Sequence, residues 1–282
     1  MSSESVLISP AELAKLLGSR QPPILADVRW TLGGPPGEPD FEACHIPGAV
    51  WVDLEAQLAG KPGPGGRHPL PAVDVFEQAM QNIGICRDSL VVAYDAATSL
   101  AAARLWWLLT DAGHEKVRVL NGGLAAWIAA DLPTVSGRGA PRPRGDFEAH
   151  PGHRPQLDAA QILAQLGQHD ASRLIDVRAP ERYSGQSEPI DPIAGHIPGA
   201  INIPATANLD PDGRFRTPAE IEALYAVAGG AEGAVLYCGS GITAAQSLLA
   251  LESAGLTAAI YPGSWSDWIA DPTRQIRIGA DP

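Results

Sequence analysis

The stretch LYCGSGIT, residues 236–243, places a single cysteine between an apolar run and two glycines. Glycines allow a loop to curl so that its N–H groups face the sulfur, and a helix N-terminus favours the ionised thiol. We therefore predict that Cys238 is a nucleophile, held in a loop that would also bind a terminal persulfide sulfur. The predicted cradle consists of Gly239, Gly241, Ile242 and Thr243. The alternative is an inert core thiol.

A cysteine loop can also catalyse phosphoryl transfer, in which an arginine at the end of the loop binds the phosphate. Here Ala244 and Ala245 follow Thr243, and the next arginine is Arg274. The loop therefore disfavours a cysteine-based phosphatase.

The chain repeats four segments in the same order, which predicts two similar domains rather than a solenoid of short units. In the first copy, Asp95 stands at the position of Cys238, and no glycines surround it. We predict an inactive domain over 1–137, a Gly-, Pro- and Arg-rich linker over 138–156, and a catalytic domain over 157–282. The paired segments are LADVRW and LIDVRA, HIPGAVWVDL and HIPGAINIPA, VVAYDAATS and AVLYCGSGIT, and LNGGLAAW and YPGSWSDW.

Short apolar runs of strand length alternate with helical segments in both copies. Helices are expected after the Ser-Pro pair at residue 9 and the Thr-Pro pair at residue 217. This alternation predicts an α/β fold in which each domain has a mainly parallel sheet with helices on both faces. Ligands bind at the carboxyl ends of the strands in such sheets, and Cys238 follows a predicted strand directly.

Composition narrows the classes of partner and compartment. The 282 residues carry a net charge of -12, which argues against nucleic acid and anionic membranes as partners. Cys44, Cys86 and Cys238 form no CxxC pair and no zinc-like spacing. The N-terminal residues show no secretory pattern, and the longest apolar stretch is interrupted by Arg104. We expect a cytoplasmic protein without disulfides.

The repeated HIPGA segments, the Asp-Val-Arg strands and the cysteine loop of the second copy together resemble the two-domain rhodanese family of sulfurtransferases. The resemblance covers nearly the whole chain and implies two tandem rhodanese-like domains. Within that family, a loop reading Cys-Gly-Ser-Gly-hydrophobic-Thr is similar to that of 3-mercaptopyruvate sulfurtransferases. Thiosulfate-specific members carry basic residues in this loop, and this sequence has none there.

The resemblance also implies a serine–histidine–acid relay beside the nucleophile. Its positions fall on Ser240, on His68 in GGRHPLP, and on Glu55 in VDLEAQ, with Asp53 as the other candidate for the acid.

The resemblance further implies that arginines bind the substrate carboxylate. The first falls on Arg182, whereas the second falls near Ile190 and is missing. Arg67, next to His68, is a candidate to supply the lost charge.

The implied reaction moves a sulfane sulfur from 3-mercaptopyruvate to a thiol such as thioredoxin or glutathione, or to cyanide, through a Cys238 persulfide. This reaction implies no metal or organic cofactor. One alternative is a thiosulfate:cyanide sulfurtransferase, and another is a non-enzymatic persulfide carrier or regulatory module.

Residues that occur in both copies are expected to serve the fold rather than the chemistry. They are Asp27 and Asp176, Arg29 and Arg178, and His45 and His196. Trp127, Trp265 and Trp268 are expected in the core or at a domain interface.

Overall fold

The computed structural model describes residues 5–139, 141–168 and 171–282, so Ala140 of the predicted linker lies outside it. Contacts divide the chain into two compact units. The first unit extends to Gly60 and also contains Pro71–Arg154 and Pro211–Phe215. The second contains Lys61–Leu70, Pro155–Asp210 and Arg216–Pro282. Each unit therefore takes a short segment from the other half of the chain, and the boundaries 1–137 and 157–282 remain a prediction.

The first unit is built on a five-stranded sheet of order β1-β5-β4-β2-β3, in which every neighbouring pair is parallel. Its strands are β1 (Leu7–Ile8), β2 (Ile24–Asp27), β3 (Ala49–Trp51), β4 (Val91–Tyr94) and β5 (Val117–Leu120). Its helices are α1 (Pro10–Leu17), α2 (Glu38–Ala43), α3 (Leu54–Gln57), α4 (Val73–Asn82), α5 (Leu100–Asp111) and α6 (Gly123–Ala129).

The second unit repeats this plan with a four-stranded parallel sheet of order β7-β6-β8-β9. An isolated parallel bridge between Gln156 and Ile260 stands where the first unit has β1. The strands are β6 (Arg173–Asp176), β7 (Ile201–Asn202), β8 (Ala234–Tyr237) and β9 (Ala259–Ile260). The helices are α7 (Ala159–Gln165), α8 (Pro180–Tyr183), α9 (Pro218–Ala226), α10 (Ile242–Ser253) and α11 (Ser264–Trp268), with a 3-10 turn over Ala205–Asn208.

The central strands are covered on both faces. All four residues of β2, β4 and β8 are buried, and successive strand residues point to opposite faces of a sheet. The predicted α/β fold with a parallel sheet in each half is therefore confirmed. Within the described ranges, no helix combines the length and the apolar character needed to cross a membrane.

Two predicted helices begin where the sequence indicates. Ser9 accepts a hydrogen bond from the backbone of Glu12, whose side chain returns one to Ser9, and α1 starts at the following proline. Thr217 and Glu220 form the same capping box ahead of α9. Such reciprocal bonds satisfy N–H groups that a helix start leaves without partners, so these short motifs determine where each helix begins.

Asp95 occupies the loop between β4 and α5, the counterpart of the Cys238 loop, and its side chain is buried there. The carboxyl group fills the loop at the N-terminus of α5, where burial raises its pKa and the surrounding backbone N–H groups oppose that change. It accepts hydrogen bonds of 3.0–3.3 Å from four backbone N–H groups, those of Ala97, Ser99, Ala101 and Ala102.

Replacing Asp95 with alanine is expected to destabilise the first unit by about 2–4 kcal/mol, because it leaves buried N–H donors without an acceptor. The measurement is the free energy of unfolding in denaturant. Asp88→Ala is the matched control, since the Asp88 side chain is 97% exposed and pairs with Lys116 only at the surface. Equal losses in the two variants would show that the loop does not depend on the Asp95 carboxylate.

Candidate active site

Cys238 lies at the carboxyl end of β8, where the loop that leads into α10 begins, and it is 2% exposed. The Gly241 N–H donates to its Sγ at 3.1 Å, the one direct N–H contact to the sulfur among the described residues. The sequence predicts several such donors. It also places Ile242 and Thr243 in the loop, whereas in the structure they form the first turn of α10, which starts as soon as Gly241 has turned the chain.

The two glycines of the loop have different physical roles. Gly241 has a φ of +81°, and a Cβ there would lie 2.3 Å from the Pro262 carbonyl oxygen. Gly239 has no positive φ, but a Cβ there would lie 2.7 Å from Nη2 of Arg67 and 3.4 Å from Nη2 of Arg182. The expectation that both glycines permit the curl therefore holds for Gly241, whereas Gly239 leaves room for two guanidiniums.

These roles predict that Gly239→Ala changes substrate binding, whereas Gly241→Ala changes stability. Gly239→Ala displaces the Arg67 guanidinium, which is the far end of a long side chain, so we expect an approximately tenfold higher KM for the sulfur donor with little change in Tm. Gly241→Ala strikes a backbone carbonyl and should cost about 1–3 kcal/mol of stability. Gly255→Ala controls for the strain alone, because Gly255 has a φ of +75° and open space around its Cβ position. A Tm for Gly241→Ala that matched this control would contradict the clash.

Ser240 and His68 are brought together beside the cysteine loop. The Oγ of Ser240 lies 2.7 Å from Nδ1 of His68, and both residues are buried, at 6% and 5% exposure. A buried hydroxyl in hydrogen-bond contact with an imidazole is an arrangement that can pass a proton. His68 belongs to the second unit through the Lys61–Leu70 segment, although it precedes that unit's main chain segments in the sequence.

Ser266 holds the Lys61–Leu70 segment against the cysteine loop. Its Oγ accepts the Arg67 N–H at 3.0 Å, and its own N–H donates to the Gly239 carbonyl at 2.9 Å. Gly66, at a φ of +98°, permits this approach, since a Cβ there would lie 2.7 Å from the Ser266 Oγ. One serine therefore connects the segment that carries His68 to the loop that carries Cys238.

Arg182 and Arg67 lie side by side next to Gly239. Arg182, on α8, donates through Nε to both oxygens of Glu188 at 3.0 and 2.9 Å, and through Nη2 to Asp191 at 2.9 Å. Arg67 pairs through Nη1 with the other oxygen of Asp191. Burial lowers the pKa of the Arg67 guanidinium, and the charge of Cys238 opposes that change. The two arginines are therefore fixed by buried carboxylates at the cysteine loop.

Glu55 and Asp53, the candidates for the acid of the relay, lie in the first unit. The Asp53 carboxylate caps α3 by accepting the Glu55 and Ala56 N–H groups at 2.9 and 3.2 Å. Oε1 of Glu55 accepts the indole N–H of Trp30 at 2.8 Å. Asp53 thus has a structural use of its own, and the assignment of the acid to Glu55 stays a prediction.

The residues common to both copies make the same internal contacts. Arg29 donates through Nε to Asp27 at 3.0 Å, and Arg178 donates to Asp176 in the same way at 3.0 Å. These ion pairs confirm the expectation that Arg29 and Arg178 form salt bridges that serve the fold. His45 stacks on Phe41 and His196 on Tyr183, again in parallel. The three tryptophans expected in the core, Trp127, Trp265 and Trp268, are buried.

Ser264 and Ser266 are site residues that the sequence interpretation missed. Oγ of Ser264 accepts the Cys238 N–H at 3.1 Å and lies 4.0 Å from its Sγ. Ser264 has a φ of +56°, and its counterpart Gly123 has a φ of +55°, so the second copy keeps a glycine conformation in order to place a hydroxyl there. Aligning LNGGLAAW with YPGSWSDW would have identified both serines, since the first copy has glycine and alanine in their places.

Comparisons with known proteins identify the family of this chain. A family model described as a rhodanese-like domain matches residues 9–130 and 158–271. A Pseudomonas aeruginosa protein named a 3-mercaptopyruvate sulfurtransferase is 43% identical over 286 residues, covering 98% of this chain and 99% of the relative. SseB of Mycobacterium tuberculosis, named a thiosulfate sulfurtransferase, is 40% identical over 280 residues, covering 97% of each chain. The structure of SseA from Escherichia coli, a 3-mercaptopyruvate sulfotransferase with the rhodanese fold, matches with a TM-score of 0.77 at 31% identity, covering 93% of this chain and 99% of that one.

The chain belongs to the rhodanese family, and it is a two-domain sulfurtransferase.

Proposed function

We propose that this sulfurtransferase takes its sulfur from 3-mercaptopyruvate and passes it to a thiol or to cyanide through a persulfide on Cys238. The observation that carries the proposal is the 2.7 Å contact between Ser240 and His68 beside the cysteine loop. Loss of sulfur from 3-mercaptopyruvate leaves an enolate that must gain a proton, whereas loss from thiosulfate leaves sulfite, which needs none. A serine–histidine pair that can pass a proton therefore favours 3-mercaptopyruvate as the donor.

In the loading step, the Cys238 thiolate attacks the sulfur of 3-mercaptopyruvate. A sulfur–sulfur bond forms, the carbon–sulfur bond breaks, and its electron pair leaves on the methylene carbon as pyruvate enolate. The proton of the donor thiol passes through the Ser240–His68 pair to that carbon, which yields pyruvate. Arg182 and Arg67 hold the donor carboxylate, and the Gly241 N–H supports the charge that develops at sulfur.

In the unloading step, an acceptor attacks the outer sulfur of the persulfide and the Cys238 thiolate leaves. A thiol acceptor, such as the thiols of thioredoxin or glutathione, becomes a persulfide, and cyanide becomes thiocyanate. Glu55 is kept as the candidate for the acid of the relay that the resemblance implies. The assignment rests on the position of Glu55 in the sequence.

The test is the intact mass of the protein after incubation with 3-mercaptopyruvate. We expect the mass to rise by one sulfur atom and an equal amount of pyruvate to appear. A protein left unmodified by 3-mercaptopyruvate would overturn the proposal. Thiosulfate is the second candidate donor, because two guanidiniums lie next to Gly239 of the loop and SseB is named a thiosulfate sulfurtransferase. A higher kcat/KM with thiosulfate than with 3-mercaptopyruvate would favour it.

A further inference from the structure

Arg182 and Arg67, next to the cysteine loop, belong to a chain of ion pairs in which positive and negative side chains alternate. Asp176 pairs with Arg178, which also pairs with Glu188, and each following contact links opposite charges in the same way. Glu188 and Asp191 are 3% and 2% exposed, so water screens these pairs poorly. The full order of the chain is Asp176, Arg178, Glu188, Arg182, Asp191 and Arg67.

Three guanidiniums and three carboxylates cancel in this chain. The arginines therefore offer directed N–H donors but no surplus positive charge. Ionisation of Cys238 would add one negative charge beside them. A donor with a single negative charge can still bond to the guanidiniums, but the second charge of a dianion would meet a site that is neutral or negative.

Asp191 is the carboxylate that bridges the two arginines nearest to the loop. It occupies Nη1 of Arg67 and Nη2 of Arg182. Nη2 of Arg67 and Nη1 of Arg182 lie 2.7 and 3.5 Å from the position of a Cβ on Gly239. One carboxylate group of a donor could accept from both of these nitrogens. Asp191 thus orients the pair and at the same time cancels part of its charge.

We propose that Asp191 is a specificity-determining residue, which favours monoanionic sulfur donors and disfavours dianionic ones. The inference rests on the proposed function for the identity of the natural donor, 3-mercaptopyruvate, which carries one carboxylate charge. On this proposal, a site with two arginines would still discriminate against thiosulfate. Removing the Asp191 charge while keeping its shape should relax that discrimination.

Two donors that differ in charge test this inference. Thiosulfate is a dianion, and methanethiosulfonate replaces one of its charged oxygens with a methyl group and is a monoanion. With either donor, the Cys238 thiolate forms a bond to the sulfane sulfur. The bond from that sulfur to the oxidised sulfur breaks, and its electron pair leaves on sulfite or methanesulfinate. Because both reactions produce the same persulfide, the ratio of their kcat/KM values reports on donor recognition and leaving group alone.

We expect Asp191→Asn to raise the ratio of thiosulfate to methanethiosulfonate turnover about tenfold over the wild type, mainly through KM. Comparing variant with wild type cancels the difference between the leaving groups. Asp271→Asn is the matched control, because Asp271 is a half-exposed carboxylate of the same unit and its loss changes the net charge equally. An unchanged ratio in Asp191→Asn, or an equal loss with both donors, would overturn the proposal.

A measurement on the wild-type protein keeps the inference testable if Asp191→Asn does not fold. Salt screens repulsion, so raising the ionic strength should increase the thiosulfate to methanethiosulfonate ratio. A ratio that falls with salt would mean that the site attracts the second charge, which contradicts the proposal. Failure of the proposed function would give a different result. The wild type would then take no sulfur from 3-mercaptopyruvate, whatever its ratio of kcat/KM values for thiosulfate and methanethiosulfonate.

Discussion

Cys238→Ser is expected to take no sulfur from any donor and to lower turnover by at least about 10⁴-fold. A serine oxygen cannot form the persulfide, so the loss removes the intermediate itself rather than weakening a contact. The exchange should leave the fold intact, because a hydroxyl can accept the Gly241 N–H that lies 3.1 Å from the sulfur. The measurements are intact mass after incubation with 3-mercaptopyruvate and the rate of pyruvate release.

The other two cysteines provide the controls for this experiment. Cys86 is exposed and Cys44 is partly exposed, so reactive sulfur in solution can modify either of them without enzymatic transfer. Cys86→Ser and Cys44→Ser should keep the activity and the added mass. Peptide mapping should place the extra sulfur on the peptide that contains Cys238. Pyruvate release by Cys238→Ser at the wild-type rate would show that the transfer runs through another group.

His68→Asn is expected to lower kcat with 3-mercaptopyruvate by about 10²–10³-fold, the usual range for the loss of a general acid or base. Turnover with thiosulfate should fall only severalfold, because sulfite leaves without needing a proton. Ser240→Ala should show the same selectivity, since its Oγ is the group in contact with the imidazole. Steady-state kinetics with both donors and one shared acceptor measures the difference.

A double variant tests whether Ser240 and His68 act as one unit. If they share one proton path, Ser240→Ala combined with His68→Asn should be no slower than His68→Asn alone. His150→Asn is the matched control, because the His150 side chain is 72% exposed and its loss removes an imidazole from the surface. Equal losses with the two donors would indicate a structural role for His68 rather than proton transfer.

The sequence was sufficient to predict the fold and the place of Cys238 at the end of a strand, because both depend on local patterns. The apolar runs that end at Asp27, Tyr94, Asp176 and Tyr237 are the central strands of the two sheets. A cysteine directly after such a strand must lie at the carboxyl edge of the sheet. Because the chain is duplicated, the two loops can be compared, and Asp95 stands in the first copy where the second has Cys238.

The arrangement of side chains around Cys238 was harder to predict because it depends on contacts between distant parts of the chain. Ser266 meets Arg67 across 199 positions, and Asp191 meets Arg67 across 124. A carboxylate in SEPIDP has no local signal that distinguishes a surface charge from a buried bridge between two arginines. The role of Gly239 was also hidden, since the space that it leaves is filled by side chains from elsewhere.

Because Lys61–Leu70 belongs to the second unit, it cannot be held in place until the ribosome has made the residues that contact it. The segment emerges early, but Ser266, the residue that holds it, is made close to the end of the chain. At about 5–20 residues per second, the delay between them is roughly 10–40 s. A chain that ends before Ser266 therefore contains His68, Cys238 and Ser240 but lacks the serine that holds the Lys61–Leu70 segment against the cysteine loop.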